Sequence, residues 1–223
     1  MERYGDALFD SGREFEPSEA SEDPEALWAE NRNGSIFVRL THVVSERYTR
    51  VGLDLVPAPV VNTYTVMLRP GLEVIEVRAP WVHFRDVFTW MTATLGITRS
   101  ELAYVDLRED VRANALQHRL VAKLKRARHK YDKDHDYDTE EVTPNPSKNS
   151  GDLSLSTTYR QELASIPGRG KYFSFGLDGV EGEHLIQVAQ TNFTVVFRSI
   201  APEKVVTHVL GAALSTGART PLG

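Results

Sequence analysis

Gly52-Leu53-Asp54 returns as Gly176-Leu177-Asp178, and the Ala79-Pro80 that follows it returns as Ala201-Pro202. The two anchors keep their order, with an offset of 124 residues for the first and 122 for the second. Between the anchors each copy reads as strand, turn and strand, and an apolar helix follows each Ala-Pro. A long-period echo of this kind marks a duplicated unit. It predicts an α+β fold made of two four-stranded antiparallel units, each followed by a helix.

Working outward, Asp23-Pro24 has the form of a helix start and predicts a short helix over 25–31, stopped at Asn33-Gly34. Strands are expected over 35–44, 50–56, 63–69 and 72–78, with Pro70-Gly71 as the hairpin turn. Pro80 opens a helix whose Phe84, Val87, Phe88, Met91 and Leu95 recur at helical spacing, and Gly96 ends it. The segment 102–107 is ambiguous between strand and short helix. Asp110 then caps a long helix over 111–131, the expected connection between the halves. The second strand set is expected over 153–163, 171–177, 184–190 and 192–200. Pro202 opens a helix with Val205, Val206, Val209, Leu210, Ala213 and Leu214 on its apolar side.

The domain reading follows. Residues 1–20 are a disordered acidic tail, 21–97 the first β4-α repeat, and 98–132 a connecting segment with the long basic helix. Residues 133–152 form a polar loop, 153–215 the second repeat and 216–223 a frayed tail. With 102–107 as a strand, each half runs helix, four strands, helix. That order resembles the TATA-box-binding-protein fold, a duplicated saddle. None of that family's sequence motifs is present, so the resemblance implies element order and no function.

Hydrophobic residues make up 41% of the 223 and charged ones 26%, which is enough to build a real core. There is no cysteine, which removes disulfides and thiolate zinc sites. No apolar run reaches the roughly 20 residues of a membrane helix, and the start of the chain lacks signal-peptide character. The expectation is a cytoplasmic protein without membrane contact. Residues 1–30 hold ten carboxylates against Arg3 and Arg13, so they carry −8 of a total of −5 and leave +3 elsewhere. An acidic tail on a mildly basic body suits either a solvated tail or one that competes with polyanions for a basic surface.

Along the long helix, Arg112, Arg119, Lys123, Arg126 and Lys130 fall on one side at 100° per residue, beside a stripe of Leu116, Leu120, Leu124, Ala127 and Tyr131. A basic ridge of this kind can pair with phosphates without reading sequence. Residues 91–105 resemble a helix-turn-helix signature, with Gly96 at the turn and Arg99 and Ser100 opening a recognition helix. The run Asp132-Lys133-Asp134-His135-Asp136-Tyr137-Asp138 fails as a calcium loop, because Tyr137 stands where the glycine belongs and Thr143 where the glutamate belongs. Gly168-Arg169-Gly170-Lys171 fails as a phosphate loop and reads as a hairpin turn. The seven histidines are scattered, with no carboxylate at ligand spacing on one helix face. No metal, cofactor or catalytic residue is expected.

The functional expectation is a non-enzymatic, nucleic-acid-associated protein, DNA-binding or regulatory, contacting DNA or RNA through the basic helix. The alternative is an adaptor or chaperone-like module, or a homodimer, that uses an apolar sheet face, because the strands at 72–78 and 192–200 are apolar on both sides. A third reading is an enzyme or ligand carrier with a pocket between the halves.

Overall fold

The computed structural model describes residues 24–32, 34–130, 141–145, 151–163, 166, 168–190 and 194–221. The tail at 1–20, Tyr131 of the expected apolar stripe and the acidic run at 132–138 lie outside these. The fold is mixed α+β with antiparallel sheets and few helices. The chain divides into two compact units, Met1–Glu101 and Leu102–Gly223. No described helix is long and apolar enough to cross a membrane.

In the first unit, β1 (Glu25–Arg32), β2 (Ser35–Val51), β3 (Asp54–Arg69) and β4 (Val74–Arg78) form a four-stranded antiparallel meander in that order. The helix expected over 25–31 is therefore strand β1. Its register runs from Glu25 opposite Thr41 to Arg32 opposite Ser35, across a connection that includes Gly34 at φ 77°. Gly34 thus serves a turn between strands and not a helix stop. Without its opening helix, the first half does not follow the TATA-box-binding-protein element order.

β2 and β3 are much longer than expected and meet at Gly52, φ 66°. β3 runs straight through Pro57 and Pro59. β4 pairs only with 65–69, so on that side 54–64 is an open edge, the setting in which a strand tolerates proline. The far end of this hairpin is exposed, with Leu53 at 90% and Tyr48 at 73%. Nearer its base, Val38, Leu40, Tyr64, Val66 and Leu68 are buried. α1 (Trp81–Leu95) buries Val87, Phe88, Met91 and Leu95 of its predicted apolar face, with Phe84 half-buried, and ends at Gly96 in the left-handed region.

In the second unit, β5 (Ala103–Asp106) pairs with β11 (Ala218–Pro221), so 102–107 resolves as a strand and the expected frayed end is paired. β6 (Lys123–Lys130), β7 (Glu141–Val142), β8 (Gly168–Leu177), β9 (Val180–Ala189) and β10 (Thr194–Phe197) form an antiparallel sheet in the order β10-β9-β8-β6-β7. The strand expected over 153–163 is instead a 3-10 turn, Leu153–Leu155, and a π-helical turn, Tyr159–Leu163. The strand that pairs with β8 on the side away from β9 is β6.

The long helix is the main correction. α2 (Asp110–Arg119) stops after ten residues. Val121, at φ 51°, donates to the His118 carbonyl, and Ala122 donates to the Gln117 carbonyl. These two bonds make a Schellman closure with valine in the seat usually held by glycine. The side chain of Gln117 reinforces it with a bond to the Ala122 carbonyl at 3.1 Å. Lys123–Lys130 then satisfies its backbone against β8. Leu124, Ala127 and His129 turn inward, which a bulged strand achieves as well as a helix does.

α3 (Glu203–Thr216) buries Val205, Val206, Val209, Ala212 and Ala213. The core of this unit joins Leu116 and Leu120 from the α2 region, Leu124 and Ala127, Phe173, Phe175, Ile186 and Val188, and Val205 and Val209. β10 is not buried on both faces: Val195 and Phe197 pack on the core, whereas Val196 is 38% exposed.

The Ala-Pro echo sits at equivalent helix starts. Pro80 has φ −57° and ψ 145°, and Pro202 has φ −57° and ψ 149°. The Gly-Leu-Asp echo does not match locally. Gly52 makes its turn, whereas Gly176 lies inside β8 and Gly179 makes the turn that follows.

Candidate functional site

The predicted basic residues do not share one helix. Arg99 and Ser100 lie in the first unit, in a 3-10 turn (Arg99–Glu101). The Thr98-x-x-Glu101 bond forms, from the Thr98 amide to Glu101 Oε2 at 2.7 Å, but β5 follows instead of a recognition helix. Arg99 rests 5.8 Å from the Phe88 ring centroid, and Ser100 lies 3.0 Å from Thr98, hydroxyl to hydroxyl. This chain segment is an ordinary helix end, not a helix-turn-helix. Arg112 lies on α2, paired with Asp106 and Glu109 at 3.3 Å each. Arg119 is exposed at the last position of α2. Lys123, Arg126 and Lys130 belong to β6.

On β6 these cations meet others. The bulge between Leu124 and Arg126 puts Lys123 and Arg126 on the same side, opposite the core. Register then lays out one row across four strands: Arg126, Tyr172, Gln187 and Val196. Tyr172 holds two guanidinium groups, Arg126 at 5.6 Å and Arg198 at 5.3 Å from its ring centroid. Arg198 Nη2 also donates to the Tyr172 hydroxyl at 3.1 Å and to Gln187 Oε1. Such stacking holds flat cations against the sheet.

In the next row Arg128 makes two bonds to Glu141, at 2.7 and 3.0 Å. Those bonds hold the Glu141 carboxyl below its usual range, with the charges of Arg128, Arg169 and Arg126 adding. A bond with Ser174 lowers Glu183, and the charges of Lys125 and Lys123 lower it further. The cations of this face thus work on two carboxylates yet outnumber them. Both helices of the unit send their buried residues to the opposite, core side.

That core side holds a polar cluster that the sequence did not suggest. Lys171, expected where a hairpin turn over 168–171 meets the strand over 171–177, lies within β8 and is buried, with Nζ 2.6 Å from Asp110 Oδ1 and 2.8 Å from Asn114 Oδ1. Burial first, then the charge of Asp110, pushes the Tyr159 hydroxyl up to about 12. Nearby on the chain, Asp106 accepts bonds from Arg108 at 2.8 and 2.9 Å and faces Arg112 at 3.3 Å. The Arg108 bonds hold its carboxyl below the ordinary value. A lowered carboxyl stabilises the fold above its unfolded value of about 3.9, and that contribution is lost as pH falls through the folded value. Asp106→Asn should therefore lower stability by about 1 kcal/mol at pH 7, discounted for the exposure of Arg108. The gap to wild type should narrow in urea titrations as pH falls below the unfolded value of about 3.9 and close only below the lowered folded value; a gap independent of pH would refute the assignment.

In the first unit, two histidines and a carboxylate converge. His42 comes from β2, and His83 and Asp86 from the first turns of α1. A ligand atom of each lies within 4.8 Å of the other two. The imidazoles of His42 and His83 stand at 90° with centroids 6.4 Å apart, and Tyr64 lies 5.7 Å from His83. Burial and then the charge of Asp86 raise the Tyr64 hydroxyl. This corrects the expectation of scattered histidines, because His83 and Asp86 are three apart and share a helix face. That spacing was readable; the arrival of His42 from a strand forty residues earlier was not.

No protein-family model, curated protein or solved structure matches the chain.

Proposed function

We propose that the second unit binds single-stranded nucleic acid, RNA or DNA, across the outer face of its five-stranded sheet, without catalysing a reaction on it. The observation that carries this is the Arg126–Tyr172–Arg198 cluster. Cations engage phosphates, and flat guanidinium and aromatic planes accept unstacked bases. The basic helix expected from the sequence is replaced by a basic strand, with Lys123, Arg126 and Lys130 kept and Arg198 added. The test is fluorescence anisotropy with an oligouridine or oligothymidine strand at two salt concentrations. Lys123→Glu/Arg126→Glu/Arg198→Glu should weaken binding at least tenfold at low salt. It should also reduce the salt slope by roughly 0.7 for each phosphate that is no longer neutralised. Arg119→Glu, on the former ridge but not on this face, should leave both nearly unchanged. Absence of binding by the wild type at low salt, or an unchanged slope in the triple variant, refutes the proposal.

A specific observation favours the adaptor reading as the second choice. The β2–β3 hairpin exposes Tyr48, Val51, Leu53 and Leu55 together near one end, and exposed apolar clusters mark partner surfaces. Concentration-dependent association abolished by Leu53→Ser would support it.

We also read the two units as copies of one element, a hairpin, a third strand and a proline-led helix. The matched Ala-Pro starts and the antiparallel strand added outside the hairpin in each unit (β1 beside β2, β6 beside β8) support this.

A further inference from the structure

His42 stands on β2 opposite Asn62 of β3, close to the Leu40–Tyr64 pair. Alternate residues there, Val38, Leu40 and His42 with Tyr64 and Val66, share one face, and all five are buried. His42 is therefore a polar side chain at the end of an apolar row. α1 brings His83 and Asp86 to it, both half-buried, with the Trp81–Phe84 stack, centroids 5.5 Å apart, on the same helix. The result is two imidazoles and one carboxylate at a sheet–helix junction, partly screened from water.

A histidine pair beside an aspartate can serve a fold through hydrogen bonds alone. The geometry here favours something further. The two rings stand edge-on instead of stacked, and a ring nitrogen of each lies close to the Asp86 carboxylate and to the other ring's nitrogen. Three ligand atoms within 4.8 Å of one another need only small rotamer adjustments to close on a single ion. Nitrogen and carboxylate donors of this number suit divalent first-row transition ions. Three protein ligands also differ from the closed four-ligand pattern of structural zinc, since they leave a position for water or a substrate oxygen.

We propose that His42, His83 and Asp86 bind one divalent first-row transition ion, with zinc as its probe, in a site that keeps at least one coordination position open. Tyr64 stands beside the ligands, where its ring packs against His83. The site lies wholly within the first unit and does not depend on nucleic-acid binding by the second.

The experiment uses the full, untagged chain, freed of metal by chelator dialysis and titrated with zinc by calorimetry, then with cobalt(II) followed by visible absorption. One zinc ion should bind with a dissociation constant below about 1 μM. Cobalt should give the strong visible bands of four- or five-coordination and not the weak ones of the hydrated ion. His83→Ala and Asp86→Asn involve half-buried positions, so they should fold, as circular dichroism would verify. Each should weaken zinc binding by at least the roughly 10–100-fold seen when supporting residues of a metal site are removed. His42→Asn provides a third variant from the strand side. His135→Ala separates this site from the acidic run at 132–138 and should leave affinity unchanged. The proposal is overturned if the wild type binds zinc no better than about 0.1 mM. It is equally overturned if folded His83→Ala and Asp86→Asn proteins bind like the wild type, or if His135→Ala removes the bound ion.

Discussion

Asp110→Ala should destabilise the second unit by about 3–5 kcal/mol, far more than its place at the start of a ten-residue helix would suggest. A carboxylate in the first turn of an exposed helix contributes about 0.3–1 kcal/mol through the helix dipole. Asp110 does more, because its partner is buried. The Lys171 side chain is 3% exposed, and its ammonium lies 2.6 Å from Asp110. Removing the carboxylate leaves that charge in the interior with, among the described residues, the Asn114 oxygen at 2.8 Å. The asymmetry of a buried pair then gives a second expectation. Lys171→Met removes the charge needing compensation, and Lys171→Met/Asp110→Ala should recover a substantial part of the loss. Asp110→Asn should fall between, since it keeps the approximate shape and loses the charge. Urea unfolding of the four variants measures all of this. If Asp110→Ala costs less than about 1 kcal/mol, the pair is hydrated and the argument fails.

The same residue shows where sequence reading succeeds and where it stops. Asp110 is legible as a helix start, but the next turning point, Val121, carries no signal, because left-handed closures are usually glycine. Leu116, Leu120, Leu124 and Ala127 fit a helical stripe, and Leu124, Ala127 and His129 also fit a bulged strand. Only pairing with β8 decides between them, and that pairing partner lies some forty residues away. α1 and α3 are legible because proline, apolar period and end signals agree. β1 is not, because Asp23-Pro24 is a good helix start and the pairing with β2 overrides it. The basic site is half legible. Charge alone singles out Lys123, Arg126 and Lys130, whereas Tyr172 and Arg198 join them only through sheet register. The metal candidate is hidden for the same reason: a histidine in a strand and two ligands in a helix share no sequence period.

Tyr172 and Phe173 are neighbours on β8, and replacing each by alanine should produce opposite outcomes. Strand alternation sends Phe173 into the core, where it is fully buried among the helices' apolar side chains. Phe173→Ala should therefore cost about 3–5 kcal/mol through lost burial and the cavity left behind. The native fraction of that variant should still bind nucleic acid normally when assayed at a temperature where it is folded. Tyr172 points the other way and is half-buried between Arg126 and Arg198. Its loss opens no core cavity, so Tyr172→Ala should cost about 1 kcal/mol or less. It removes the platform that holds both guanidinium groups, and with it the stacking surface, so affinity for a single strand should fall by roughly 1–3 kcal/mol. Tyr172→Phe keeps the ring and loses the bond to Arg198, and should retain most of the binding. Thermal melts and anisotropy on the three proteins separate the two faces of one strand. Equal losses of stability from Tyr172→Ala and Phe173→Ala would mean that the outer face is itself covered. Unchanged binding in a folded Tyr172→Ala protein would move the nucleic-acid surface away from this sheet.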